Sequence, residues 1–189
     1  MRDDAMPSPR PDQSTASLAV VLMGVAGSGK TVVGEALSER LGIPFLDGDR
    51  FHPAANVAKM SSGTPLTDED RWPWLDAIAA AIRSQPGGVI VACSALRRVY
   101  RERLSANAGR HLIFVLLDGS PETLAKRLAT RRGHFMPASL LASQLATLER
   151  PGGEERAVTV SVEAELATVV AEVADRLAIF AATRSLSAG

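Results

Sequence analysis

Residues 18–31 decide how this chain is read: Leu18-Ala19-Val20-Val21-Leu22-Met23, then Gly24-Val25-Ala26-Gly27-Ser28-Gly29-Lys30-Thr31. The first run is apolar at every position, as in a strand covered on both faces. The second fits Gly-x4-Gly-Lys-Thr at every fixed position. Val32, Val33, Ala36, Leu37 and Leu41 then mark a helix with one apolar face. A buried strand, a glycine-rich turn and a helix make the opening unit of a parallel α/β sheet. The glycines allow the backbone N–H groups of Gly24, Val25, Ala26, Gly27, Ser28 and Gly29 to curl around phosphate oxygens, and the helix N-terminus adds its positive end. Lys30 is placed to reach the β and γ phosphates of ATP, and Thr31 to offer a hydroxyl to the accompanying Mg²⁺. The loop by itself does not say whether the triphosphate drives a motion, a switch or a transfer.

Outward from this unit, short aliphatic runs at 44–46, 89–93, 112–117 and 157–160 alternate with amphipathic stretches, so the fold class is α/β. Leu75, Ile78, Ala79 and Ile82 form one helical stripe, and Leu166, Val169, Val170, Val173 and Leu177 another. Ser120-Pro121 starts a helix that runs to about Arg132 and ends at Gly133. A second helix spans 137–148, with Leu141, Leu145 and Leu148 on one face. Residues 121–148 are therefore expected to form a helical hairpin joined at Gly133-His134-Phe135, a candidate lid. Pro7, Pro9 and Pro11 among Ser, Asp and Arg make 1–17 an expected disordered tail. Residues 18–183 form one domain and 184–189 a second tail.

The chain has 189 residues, 46% hydrophobic, with 21 Lys and Arg against 21 Asp and Glu. Zero net charge argues against nucleic acid or an anionic membrane as the main partner, since both require a basic field. No apolar run reaches membrane-spanning length. With Cys93 as the single cysteine, no internal disulfide can form, and the cytoplasm is the expected compartment.

Asp47-Gly48-Asp49 follows the second strand, where α/β sheets hold ligands. In an extended segment the two carboxylates share a face, one to order the metal's water and one to take the proton of an attacking hydroxyl. The alternative is a solvated turn. Arg127 and Arg131 lie four apart on the lid helix, with Arg132 and His134 close behind, suited to charge on a phosphoryl group in transit. Their alternative is a basic surface with Glu122 and Glu149 as partners.

Together these stretches resemble the gluconate kinases, small phosphate-loop kinases related to the shikimate and nucleoside-monophosphate kinases. The resemblance rests on the loop, on Phe45-Leu46-Asp47-Gly48-Asp49 with His52-Pro53, and on Asn56-Val57-Ala58-Lys59-Met60 with Gly63-Thr64-Pro65-Leu66. It continues through Asp68-Glu69-Asp70-Arg71-Trp72-Pro73-Trp74-Leu75, Cys93-Ser94-Ala95-Leu96-Arg97-Arg98 with Tyr100-Arg101, Arg131-Arg132-Gly133-His134-Phe135, and Leu148-Glu149 with Pro151-Gly152. It implies a five-stranded parallel sheet with a helical lid, and ATP-dependent phosphorylation of gluconate at its terminal hydroxyl. It allows a homodimer. It makes Asp47, with Thr31, the metal-side residue and Asp49 the carboxylate nearest the acceptor.

An anionic sugar acid needs cations, ideally guanidinium forks. Arg71, Arg97 and Arg101 are the candidate clamps, with His52, Lys59 and His134 as further contacts. Arg71 has an alternative in pairing with Asp68 or Asp70, His52 in capping a turn, and Lys59 in a solvated helix face. Arg97 and Arg101 share a helix face by spacing. Trp72, Trp74 and Cys93 are expected in the packing. The chain departs from the family at Ser94, where no acidic residue follows the third strand, and at Val160-Ser161-Val162-Glu163-Ala164-Glu165 beside the adenine. Two rival functions remain: a shikimate kinase, disfavoured because Gly87 and Gly88 precede the third strand, and a nucleotide-dependent switch without an acceptor.

Overall fold

The computed structural model describes residues 18–130 and 138–186. The chain forms β1 (Ala19–Met23), α1 (Lys30–Leu41), β2 (Phe45–Asp47), a 3-10 turn (Gly48–Phe51), α2 (Ala54–Ser61), α3 (Asp68–Arg83) and β3 (Val89–Ala92). It continues with α4 (Arg98–Asn107), β4 (Ile113–Asp118), α5 (Pro121–Thr130), α6 (Ala138–Thr147), β5 (Ala157–Ser161) and α7 (Leu166–Leu186). Five strands make one sheet in the order β2-β3-β1-β4-β5. Each adjacent pair is parallel, with Val20 opposite Ile90 on one side and Ile113 on the other.

The strands are apolar at consecutive positions because both faces are covered. Ala19, Val21 and Met23 of β1 face α3 and α4, where Leu75, Ile78, Ile82 and Leu104 pack on them. Val20 and Leu22 face α1 and α7, against Val33, Leu37, Val173 and Leu177. The α3 stripe expected from the sequence is thus the inward face of its helix, as are Val169, Val170, Val173 and Leu177 of the α7 stripe, whereas Leu166, at the first position of α7, is exposed. A third cluster lies at the strands' C-terminal end, where Leu124 and Leu128 of α5 and Leu141 and Leu145 of α6 pack around Val25 and Leu96.

Local signals set the helix ends. Thr67 and Asp70 form a reciprocal capping box at the start of α3. Ser120 Oγ accepts the Thr123 N–H at 3.2 Å ahead of Pro121, as its position before a proline suggests. Pro44 flanks β2 instead of joining it: its carbonyl accepts from Ile90 N–H at 2.9 Å, and Asp47 takes the last paired position opposite Ala92. The hairpin helices α5 and α6 both form. Its joint, Gly133-His134-Phe135, and the expected tail at 1–17 lie outside the described residues; of the tail expected at 184–189, residues 184–186 instead continue α7, and 187–189 lie outside the described residues.

Gly48 is required by packing. A Cβ there would sit 2.2 Å from the Ala92 carbonyl oxygen, inside the sheet, while its own carbonyl accepts the Trp74 indole N–H at 2.7 Å. Gly48→Ala is therefore expected to destabilise the protein by about 1–3 kcal/mol. Thermal denaturation checks this, with a Tm lower by roughly 2–10 °C.

Candidate functional site

The glycine-rich loop leaves β1 at the C-terminal edge of the sheet, with β3 on one side and β4 on the other. Crossovers run in opposite directions from this strand, which opens a crevice at its end. Gly24, at φ +138, is where the chain leaves the strand, and a Cβ would lie 2.7 Å from the Leu117 carbonyl oxygen. The Gly24 N–H donates to the Ser94 carbonyl at 3.2 Å, bracing the loop against the segment after β3. Helix α1 begins at Gly29 with no side-chain cap and no acidic residue in its first turn, so its N-terminal donors keep their positive end. Lys30 Nζ donates to the Gly24 and Val25 carbonyls at 2.9 and 3.0 Å, curling the loop on itself. Ser28 Oγ is buried without a protein partner. Free helix donors, a lysine held at the loop and an unsatisfied buried hydroxyl fit a polyanionic ligand such as a nucleotide's phosphates.

The acidic pair sits two strands away, at the end of β2. Asp47 is the last residue of the strand, and Gly48 turns the chain into the 3-10 segment, so Asp49 does not continue an extended line. This corrects the expectation that alternation puts both carboxylates on one strand face. Asp47 instead folds over the turn, and its Oδ1 accepts the Asp49 backbone N–H at 3.1 Å. Asp49 is exposed at the mouth of the turn. Among the described residues no group of three His, Cys, Asp or Glu side chains could hold a metal. Thr31 and Asp47 are hard oxygen donors of the kind that suits Mg²⁺, which keeps most of its shell as water and phosphate.

His52 ends the 3-10 turn and stacks on Trp74, ring centroids 4.2 Å apart at 11°. Its Nδ1 lies 3.4 Å from Asn56 Nδ2. Burial pulls its pKa below the usual 6.5, the nearby Asp49 charge opposing this and Arg71 adding to it. Buried Asn56 also donates to the Asp70 carbonyl at 2.7 Å, tying α2 to the start of α3. Lys59 is committed to Asp70, with both carboxylate oxygens at 2.7 Å. Its place is neither a bare solvated face nor a free substrate contact.

The candidate clamps separate. Arg71 pairs with neither Asp68 nor Asp70: its Nη1 donates to the Leu66 and Thr67 carbonyls at 2.5 and 3.1 Å. Arg97 donates to Asp68, which also accepts the Tyr100 hydroxyl at 2.5 Å. The guanidinium carbons of Arg71 and Arg97 lie 5.6 and 5.5 Å from the Tyr100 ring centroid. The Tyr100 hydroxyl, followed by Arg97, holds the Asp68 carboxyl below the usual carboxylate range.

Arg101 is placed otherwise than its spacing suggests. Its side chain is 1% exposed and forms a two-bond pair with Glu155, Nε to Oε2 at 2.5 Å and Nη2 to Oε1 at 2.9 Å. Its Nη1 donates to the Ala95 and Glu149 carbonyls at 3.2 and 3.0 Å. A guanidinium so enclosed binds the chain to itself and leaves no fork for a substrate. Arg97, by contrast, stands at the N-cap position of α4 and turns its guanidinium to Asp68, so the two arginines pair with different carboxylates.

On the lid, Arg127 donates to the Val162 carbonyl at 2.5 Å, reaching the loop after β5, and not to Glu122 or Glu149. Glu163 in that loop accepts from the Ser120 N–H at 2.7 Å and the Thr123 hydroxyl at 2.6 Å. The stretch where the chain departs from the family pattern is thereby fastened to α5. Arg131 and His134 lie outside the described residues. Cys93 is buried, its thiol pushed up to about 12 by desolvation, which leaves it inert in the packing.

Sequence reasoning missed Gln144, whose Oε1 accepts the Ala26 N–H of the glycine loop at 2.7 Å. Its signal was available: a polar residue within the Leu141, Leu145, Leu148 stripe. It also passed over Asp68 and Tyr100 as the pair that orients Arg97.

With this geometry in view, comparisons with known proteins are specific. The AAA domain family AAA_33 matches residues 20–151. A gluconokinase of Gluconobacter oxydans is 52% identical over 147 residues, 76% of this chain and 82% of that protein. The thermosensitive gluconokinase of Escherichia coli is 45% identical over 154 residues, 79% of this chain and 81% of that one. A crystal structure of a gluconokinase from Sinorhizobium meliloti, 49% identical, superposes with a TM-score of 0.85 over 94% of this chain and all of that one. The shikimate kinase of Aquifex aeolicus, 19% identical with a TM-score of 0.56, shares the fold alone.

Proposed function

The chain belongs to the gluconokinase family, and from that membership we propose how its residues divide the work. The protein phosphorylates gluconate at the expense of ATP, with 6-phosphogluconate and ADP as products. The observation that carries the assignment of roles is the acidic turn, in which one carboxylate holds the backbone of the other at the end of β2. Asp49, exposed and held by Asp47, takes the proton of the terminal hydroxyl as its oxygen attacks the γ phosphorus. Lys30 leaves the Gly24 and Val25 carbonyls for the phosphates, and the N–H groups of Gly27, Gly29, Lys30 and Thr31, with the Ser28 hydroxyl, hold the leaving diphosphate. Mg²⁺ would be held by Thr31 and, through water, by Asp47, and supplies neutralising charge to the phosphates.

Arg97 and Arg71, both within reach of the Tyr100 ring, are the cations for the gluconate carboxylate, with His52 beside Asp49 as a hydroxyl partner. His52 is neutral at neutral pH because burial disfavours its charged form, so it can both donate and accept. Lys59 acts on this site through Asp70 and the capping box of α3. Arg127 stands at the adenine side, where it braces the loop after β5. We carry Arg131 and His134 forward as lid contacts to phosphate and acceptor, and the homodimer as an association to be read by light scattering. A reaction that consumes ATP suits the cytoplasm.

The test is ADP release by the purified protein with Mg²⁺ and ATP, alone and with gluconate or shikimate. Release is expected with gluconate only. Release that is independent of acceptor would favour the switch reading, and release with shikimate alone the other kinase.

A further inference from the structure

Helix α6 touches both halves of the site. Within it, Gln144 accepts the Ala26 N–H of the phosphate loop at 2.7 Å, and its amide nitrogen has no protein partner among the described residues. Just past its end, Glu149 turns to the acceptor side. The Glu149 Oε2 accepts the Arg98 N–H at 2.6 Å at the start of α4, and its Oε1 lies 3.6 Å from Arg97 Nε. The Glu149 N–H donates to the Leu96 carbonyl at 2.8 Å. Between these anchors, Leu141, Leu145 and Leu148 pack on Val25 of the phosphate loop and Leu96 of the loop before Arg97. Helix α6 and the two residues that follow it are thus bonded and packed to the donor cradle at one point and paired with the candidate carboxylate arginine at another.

We propose that α6 is a strut that sets the spacing between the two substrates, with Gln144 and Glu149 as its positioning residues, so that nucleotide and sugar acid each favour the other's binding. Neither residue performs the transfer. Gln144 fixes the loop N–H that lines the phosphate end, and Glu149 fixes the guanidinium that meets the acceptor. A helix held at both points transmits a shift at either end as a rigid body. Coupling between two binding sites is reciprocal, so a break at either anchor must be felt at the opposite site. The inference rests on the acceptor reading given above for Arg97; the nucleotide arm of its test does not.

Two crossed measurements test it. Gln144→Met removes the acceptor of the Ala26 N–H at similar side-chain length, and Glu149→Gln keeps an acceptor for the Arg98 N–H while removing the charge facing Arg97. Dissociation constants are measured by calorimetry for gluconate and for a non-hydrolysable ATP analogue. Gln144→Met is expected to weaken gluconate binding about 5-fold or more in the presence of the analogue, although Gln144 contacts only the nucleotide side. Glu149→Gln is expected to weaken analogue binding by a similar factor, although Glu149 contacts only the acceptor side. A simple folding defect would reduce the number of sites titrated and leave the remaining affinity unchanged.

Unchanged affinity at the far site in either variant breaks reciprocity and overturns the strut. If the unaltered protein fails to phosphorylate gluconate, the functional reading falls instead. The analogue measurement on Glu149→Gln, which needs no acceptor, then decides the strut alone.

Discussion

Asp49→Asn is expected to lower kcat for gluconate phosphorylation by about 10²- to 10⁴-fold, the usual worth of a general base. The amide keeps the size of the carboxylate and a hydrogen-bonding oxygen, so KM for gluconate should change far less than kcat. Steady-state assay of ADP formation reads both. The neighbouring substitution separates the two acids. Asp47→Asn retains an oxygen for the Asp49 N–H, which Asp47 Oδ1 now accepts at 3.1 Å, and so preserves the turn. It removes the charge assigned to the metal's water, and the expected defect is a higher Mg²⁺ requirement that excess Mg²⁺ partly restores. Undiminished turnover in Asp49→Asn would remove the proposed base.

Arg101→Leu should cost about 3–5 kcal/mol of folding stability, because it strands Glu155 in a largely enclosed position. The Glu155 side chain is 14% exposed and accepts two bonds from the lost guanidinium. Urea denaturation checks this as a fall in the midpoint at constant slope. The effect depends on pH with a definite sign. Arg101 holds the Glu155 carboxyl below its usual 4.5, so this contribution is present above that value and is lost as pH falls through the lowered folded-state pKa. The gap between the unaltered protein and Arg101→Leu should therefore narrow below about pH 4.5. A gap independent of pH would mean that Arg101 acts through packing and its carbonyl bonds.

The sheet was legible because its strands are apolar at consecutive positions and its phosphate loop has fixed spacing. Both are local patterns. Phe45 to Asp47 shifted by one residue only because a proline lacks an N–H to pair. The acidic turn was legible in composition but not in shape. Alternation assumes extended backbone, and Gly48 ends the extension because the sheet wall at Ala92 leaves no room for a side chain.

The arginines show the limit most plainly. Arg97 and Arg101 lie one helical turn apart and carry the same charge, yet one stands at the cleft and the other is walled in. What separates them is Glu155, 54 positions from Arg101 in sequence. Spacing along a helix fixes a direction, while the partner that waits there is a tertiary fact. The same holds for Gln144, whose partner at Ala26 is 118 positions away.

Both tryptophans of the chain, Trp72 and Trp74, lie in the first turns of α3. Trp74 lies face to face with His52 and donates to the Gly48 carbonyl, and Trp72 meets the edge of the Tyr100 ring at 5.7 Å. The protein therefore carries an unlabelled optical reporter. Its ultraviolet emission is expected to respond when gluconate reaches the proposed acceptor side beside His52 and Tyr100.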